Sequence, residues 1–299
     1  MTFNELAIPP ALATALATEN IVDPTPIQMA AIPVVLNGKD AYISSETGTG
    51  KTLAYLLPLL VHLDPSSKDL QVMIVTPTHE LSSQIHAQLL RLNENSGLGF
   101  RTQLLIGGAS TKRQLEKLKK KPHIVVGSAG RILELIKLRK LKVHCIKSMV
   151  IDEADNLLFG ESLGVVSDII RSMLGGRQLI LVSATNQAET NKVAASMSAA
   201  MVQVHVNSNQ VCSDIDHIYF SVRGNEKRDL LRKVIRACDP ERAIVFTHRN
   251  ETAKRIAASL AEHSIAVGEI HGGCDKLTRE RAINAFKLGK INILVASDL

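Results

Sequence analysis

At 299 residues, 45% hydrophobic and 21% charged, the chain is long enough for two α/β domains and has the composition of an ordinary globular protein. Its net charge of +6 is compatible with a polyanionic partner, while six Phe, three Tyr and no Trp argue against a base-stacking platform and for contacts with a phosphate backbone. The longest apolar stretch, 53–63, is broken by Pro58 and His62 and is too short to span a bilayer.

Residues 3–20 are rich in Ala and Leu and predict one amphipathic helix ahead of a turn at Pro24 and Pro26. Glu5 and the lack of an early Lys or Arg argue against a signal peptide there. Strand and helix patterns then alternate. Residues 41–44 lead to a glycine-rich loop and a helix from Lys51, 71–76 to a helix from Glu80, and 124–126 to a helix from Arg131. The apolar runs 146–151 and 178–183 end at Asp152-Glu153-Ala154-Asp155 and at Ser183-Ala184-Thr185. Short β-branched runs separated by helices imply parallel strands covered on both faces. Each motif falls at a strand's C-terminal end, where such sheets bind ligands.

The polar segment 207–216 predicts a linker between domains at 1–206 and 217–299. In the second domain, strands at 217–222, 243–247, 266–270 and 291–296 alternate with helices from Glu226, Glu251 and Lys276. Its last strand lacks a crossover helix, which predicts a poorly folded unit.

Two of these motifs are the halves of an ATP–Mg²⁺ site. In Ser45-Glu46-Thr47-Gly48-Thr49-Gly50-Lys51-Thr52, the glycines let backbone N–H groups turn onto phosphate oxygens. Lys51 reaches the β- and γ-phosphates and the Thr52 hydroxyl ligates Mg²⁺. Asp152, from a neighbouring strand end, completes the metal's protein ligands, and Glu153 is placed to orient or polarise the attacking water.

Reading outward from these halves, the chain resembles the DEAD-box ATP-dependent RNA helicases of superfamily 2. Pro24-Thr-Pro-Ile-Gln28, with Phe3 upstream, is similar to the Q motif, Pro77-Thr78-His79-Glu-Leu81 to motif Ia, and Gly107-Gly108 to the GG doublet. Gly127-Ser128-Ala129-Gly130-Arg131 resembles motif Ib, Ser183-Ala-Thr185 motif III and 244–249 motif IV. Ile270-His-Gly272, Arg279 and Phe286 keep the spacing of the QxxR region, and Val295-Ala-Ser-Asp298 looks like the start of motif V. The departures are Ile21 in place of an aromatic that helps hold adenine, His79 for Arg, Ala129 for Pro and Lys276 for Gln. Motif VI, with the family's arginine fingers, is not reached before Leu299, so the chain is expected to be a fragment with a truncated second domain and little hydrolytic activity.

The resemblance implies two RecA-like parallel-sheet domains in tandem. It implies that ATP is held by Phe3, Gln28, Ser45 to Thr52, Asp155 and Asp298, with Mg²⁺ on Thr52 and Asp152. Catalysis then falls to Lys51, Asp152, Glu153, Ser183 and Thr185, the last two relaying nucleotide state near Asp155. RNA is expected along its backbone on Pro77, Thr78, Gly107, Gly108, Ser128, Gly130, Arg131 and Arg279. The implied function is local unwinding of short RNA duplexes in the cytoplasm. The alternatives are an ATP-gated RNA clamp with little unwinding and a DNA translocase of the same superfamily, which the Gln28 region disfavours.

Other features read as structural. Cys145, Cys212, Cys238 and Cys274 are far apart with no CxxC spacing and fit reduced thiols. His271 with Cys274 lacks a second ligand pair for a metal, and no Gly-x-Ser-x-Gly elbow surrounds Ser183. The basic runs 114–121 and 137–142 suit nucleic-acid contact, but solvated helix faces and loops are the favoured reading.

Overall fold

The computed structural model describes residues 1–108, 110–185, 187–206 and 215–297. The chain divides into two compact units, Met1–Cys212 and Ser213–Leu299. All but the last two positions of the expected linker lie outside the described residues, as does Asp298.

In the first unit the strands are β1 (Ala41–Ser44), β2 (Val72–Thr76), β3 (Thr102–Leu105), β4 (Ile124–Ser128), β5 (Ser148–Ile151), β6 (Gln178–Ser183) and β7 (Val202–His205). All pair in parallel, in the order β3-β4-β2-β5-β6-β1-β7. The helices are α1 (Pro10–Ala17), α2 (Pro26–Leu36), α3 (Lys51–Val61), α4 (His79–Ser96), α5 (Thr111–Leu118), α6 (Ala129–Lys137), α7 (Ala154–Leu157), α8 (Gly160–Arg171) and α9 (Ala188–Met197).

Side chains alternate between the faces of a strand, and here both faces are covered. Ile43, Ile74, Val126, Val150 and Ile180 join one core with Leu12, Ile32, Leu57 and Leu89 of α1 to α4. Their neighbours Tyr42, Met73, Val125, Met149 and Leu179 join a second core with Ile132 and Leu135 of α6 and Val166 and Ile169 of α8. This double burial is why the central strands read as unbroken apolar runs.

The expected helix 3–20 is shorter. Pro9 caps α1 and Pro10 occupies its first turn; a residue before proline is pushed out of helical geometry, so the helix starts at Pro10 and not earlier. Strands β3 and β7, unseen in the sequence, lie at the two edges of the sheet.

Close packing pins β3 to β4. A Cβ on Gly127 would lie 2.1 Å from the Leu105 carbonyl oxygen, its registered neighbour. Gly127→Ala is therefore expected to cost about 3 kcal/mol by overpacking, read as a lower urea midpoint; an unchanged midpoint would show that β3 yields freely.

The second unit holds α10 (Lys227–Cys238), α11 (Asn250–Glu262), α12 (Lys276–Lys287) and the strands β8 (Ala243–Thr247), β9 (Val267–Ile270) and β10 (Ile293–Ser297), paired in parallel in the order β8-β10-β9. Two expectations are corrected. The last strand, expected to be poorly covered, is the central one, buried along its length, with Ile293 and Val295 in a core with Ile235, Ala253 and Leu260. Residues 217–222 form no strand and find no sheet partner among the described residues; Ile218, Tyr219 and Phe220 are exposed.

Candidate nucleotide and RNA site

The order β5-β6-β1 sets the acidic tetrad, Ser183 and the glycine loop side by side at the C-terminal edge of the first unit's sheet. Gly48 and Gly50 take left-handed φ values of 84° and 93°, and Gly50 caps α3. Residues with a Cβ rarely adopt such values. Ser45 supports the turn: its Oγ donates to Thr49 Oγ1 at 2.9 Å, and Thr49 Oγ1 donates to the Glu46 carbonyl at 2.8 Å. Lys51 Nζ donates to the Ser45 and Glu46 carbonyls. Burial lowers the Lys51 pKa, opposed by the nearby carboxylates of Asp152, Asp155, Glu153 and Glu46.

Asp152 is 6% exposed. Its Oδ2 accepts from the Tyr55 hydroxyl at 2.8 Å and its Oδ1 from the Glu153 backbone N–H at 2.9 Å. Burial pushes its pKa up to about 6, against the lowering effect of those two bonds. Glu153 has φ 51°, a left-handed value uncommon for a residue with a side chain, and its Oε2 accepts from Asn156 Nδ2 at 3.1 Å. Thr185 Oγ1 donates to Asp155 Oδ2 at 2.9 Å, tying the Ser-Ala-Thr turn to the tetrad. Ser183 Oγ closes that turn, donating to the Thr185 carbonyl at 2.7 Å and accepting from its N–H at 3.1 Å. Asp155 Oδ1 is buried with no hydrogen-bond partner among the described residues.

These residues fit a magnesium nucleotide. A Cβ at Gly48 would meet open space, so the loop has room above it, and the surrounding carboxylates supply oxygen donors suited to a hard divalent cation. Tyr55 was missed in the sequence. The signal was there: Tyr55 lies three residues after Thr52, on the same helix face.

Several expected ligand contacts are placed differently. Phe3, expected beside adenine, is 3% exposed and belongs to the apolar core. Gln28 is 1% exposed, and both ends of its amide are engaged: Oε1 accepts from Thr25 N–H at 3.0 Å and Nε2 donates to the Gly50 carbonyl at 3.1 Å. Here it holds the phosphate loop. Gln28→Ala is expected to weaken ATP and GTP alike by roughly tenfold, the equivalent of one hydrogen bond. A loss confined to ATP in nucleotide titrations would return Gln28 to reading adenine.

The order β3-β4-β2 brings together the loops carrying Gly107-Gly108, Ser128-Ala129-Gly130 and Pro77-Thr78. Thr78 caps α4 by accepting from Leu81 N–H at 3.2 Å. The His79 ring lies beside Gly107, where Nε2 would be 3.3 Å from an added Cβ. Arg131 is the exception. It is 7% exposed, with Nη1 paired to Glu134 Oε2 at 2.7 Å and Nε donating to Gln114 Oε1 at 3.3 Å. The expected backbone cation is therefore buried here and paired within the chain to the half-exposed Glu134, with its Nη2 lacking a hydrogen-bond partner among the described residues. Arg131→Met should cost about 1–3 kcal/mol of stability and leave the salt dependence of RNA binding unchanged. A slope flattened by roughly 0.7 would instead assign it a phosphate. Arg279 lies half-buried on α12 of the second unit.

Among the described residues no helix is long and apolar enough to cross a membrane. A family model described as DEAD/DEAH box helicase matches residues 25–193, and one described as helicase conserved C-terminal domain matches 226–299. The chain is 39% identical over 275 residues to the DEAD-box ATP-dependent RNA helicase CshC of Bacillus cereus, covering 92% of this chain and 70% of that protein. It is 38% identical to the probable ATP-dependent RNA helicase YfmL of Bacillus subtilis, covering 92% and 73%. Among solved structures it resembles S. cerevisiae Dbp5 bound to RNA and ADP BeF3, with a TM-score of 0.85, 25% identity and coverage of 99% and 75%. A DEAD box protein from Methanococcus jannaschii matches with a TM-score of 0.64, 28% identity and coverage of 100% and 80%. The chain belongs to the DEAD-box helicase family.

Proposed function

We propose that this chain is an RNA-dependent ATPase of the RNA helicase class, which holds RNA by its backbone and separates short duplexes locally. The observation that carries the reading is the Thr185–Asp155 hydrogen bond. It joins the turn after β6 to the tetrad after β5, so the nucleotide-binding edge is coupled to a second segment of the same edge. Magnesium nucleotide supplies the free energy of phosphoryl transfer when bound. Lys51 would exchange its two carbonyl partners for phosphate oxygens, and Thr52 and Asp152 would hold the metal. Glu153, its side chain steadied by Asn156, would orient the attacking water.

The loops at 77–78, 107–108 and 128–130 would hold the RNA with backbone N–H groups, hydroxyls and the ends of α4 and α6. Such contacts position a strand without reading its sequence. The test is phosphate release with and without single-stranded RNA, beside strand displacement on a short RNA duplex. RNA-stimulated turnover with displacement is expected. Stimulated turnover without displacement would favour a clamp, and stimulation by DNA alone would reject the RNA assignment.

A further inference from the structure

The two basic runs that read as separate solvated segments converge in the first unit. Lys119 and Lys121, after α5, face Lys140, Lys142 and His144, from the link between α6 and β5, around a depression of about 320 Å³. Lys68, from the link between α3 and β2, completes the rim. The carboxylate lining it is that of Asp69, and none of the five lysines has an ion-pair partner among the described residues. A solvated helix face is convex and lets its lysines fan apart. A concavity in which five lysines outnumber one carboxylate focuses a positive field, an arrangement that opposes the compact state through self-repulsion and attracts an anion.

The depression is separate from the nucleotide site. Its segments precede β2, β4 and β5, whereas the glycine loop and tetrad follow β1 and β5, so the two lie at opposite edges of one parallel sheet. A strand of about five residues puts roughly 15 Å between those edges. That exceeds the screening length of about 8 Å at physiological salt, so these lysines do not serve the nucleotide's phosphates. Two rim segments also turn through left-handed residues that are not glycine, Lys121 at φ 52° and Arg139 at φ 55°. Glycine is the usual residue at such turns after a helix; here both carry cations.

We infer that this depression is a second binding site for a nucleic-acid phosphate backbone, which captures an RNA segment on the face away from the nucleotide. No Phe, Tyr or Trp lines it, and lysine recognises phosphate as a point charge without sequence preference. The inference rests on the reading of RNA as this chain's polymer.

The test uses the full chain and a labelled 20-nucleotide poly(U) RNA. With Lys119, Lys121, Lys140 and Lys142 all changed to Gln, the log–log salt slope of binding should flatten by about 2 to 3, from roughly 0.7 per lost phosphate contact. Binding of a fluorescent ATP analogue should stay unchanged. In the wild-type chain, the RNA should shield the same four lysines from acetylation by an amine-reactive ester, read by mass spectrometry, which keeps the test open if the variant misfolds. RNA binding with these lysines unshielded and the slope unaltered overturns the second site and leaves the proposed function standing. Shielding by heparin but not by RNA also overturns it, and failure of the wild-type chain to bind RNA removes both.

Discussion

Glu153→Gln is expected to lower RNA-stimulated ATP hydrolysis by roughly 10²- to 10⁴-fold while nucleotide affinity stays within a few-fold of the parent. The amide oxygen can still accept from Asn156 Nδ2, so the side chain keeps its place. What it loses is the capacity to take a proton from water. Affinity should be spared because the nucleotide's protein contacts are assigned to Lys51, Thr52 and Asp152. Single-turnover phosphate release beside an equilibrium titration separates the two quantities. A variant that hydrolyses normally would remove Glu153 from the chemistry; one that no longer binds would make it part of the nucleotide's support.

Asp152→Asn should have the opposite character: a more stable protein that has lost its metal. In the absence of metal, burial holds the Asp152 pKa at about 6, above its ordinary 3.8. Between those values the native state binds more protons than the unfolded chain, so stability falls as pH rises through the window. The gap corresponds to roughly 3 kcal/mol at neutral pH. The uncharged amide avoids that penalty and keeps both neighbours, because its oxygen can accept from the Glu153 N–H while its nitrogen donates to a reoriented Tyr55 hydroxyl. Allowing for burial of the amide itself, a gain of about 1–2 kcal/mol is expected at pH 7.5 with chelator present, vanishing below about pH 4, where the carboxyl is protonated in the unfolded chain as well as in the native state. The added stability should come with no magnesium-dependent rise in Tm when nucleotide is supplied. An asparagine variant that melts below the parent at pH 7.5 would show that the carboxylate's two hydrogen bonds outweigh its desolvation.

The parts of this molecule legible in the sequence are those decided locally. Residues 41–44 and 178–183 are buried on both faces and read as strands, and the loop after β1 announces itself through Gly48 and Gly50, whose backbone only glycine adopts readily. β3 was not legible because Thr102–Leu105 is a short, half-buried edge strand of two polar residues followed by two leucines, with no period-2 polarity pattern. The Arg131–Gln114 contact spans 17 positions and the Tyr55–Asp152 bond 97. No periodicity encodes such distances. Phe3 kept the family's spacing, but spacing does not say whether an aromatic faces a ligand or a core. The meeting of two lysine runs likewise depends on which strands neighbour one another, a property of the whole sheet.

That neighbour order also limits how the molecule can vary. Because β3, β4 and β2 are adjacent, the loops at their tips are spaced at roughly the 4.8 Å interval of paired strands, like teeth on a comb. Outside the residues proposed to hold RNA at 77–78, 107–108 and 128–130, the tips are free to change in residue type and length. The strands behind them are not: one residue inserted into β4 would turn Val125 and Val126 each toward the other's core and move the tip out of step with both neighbours. Divergence among chains of this architecture should therefore collect in the loops outside those residues, while the number of residues within each central strand stays fixed.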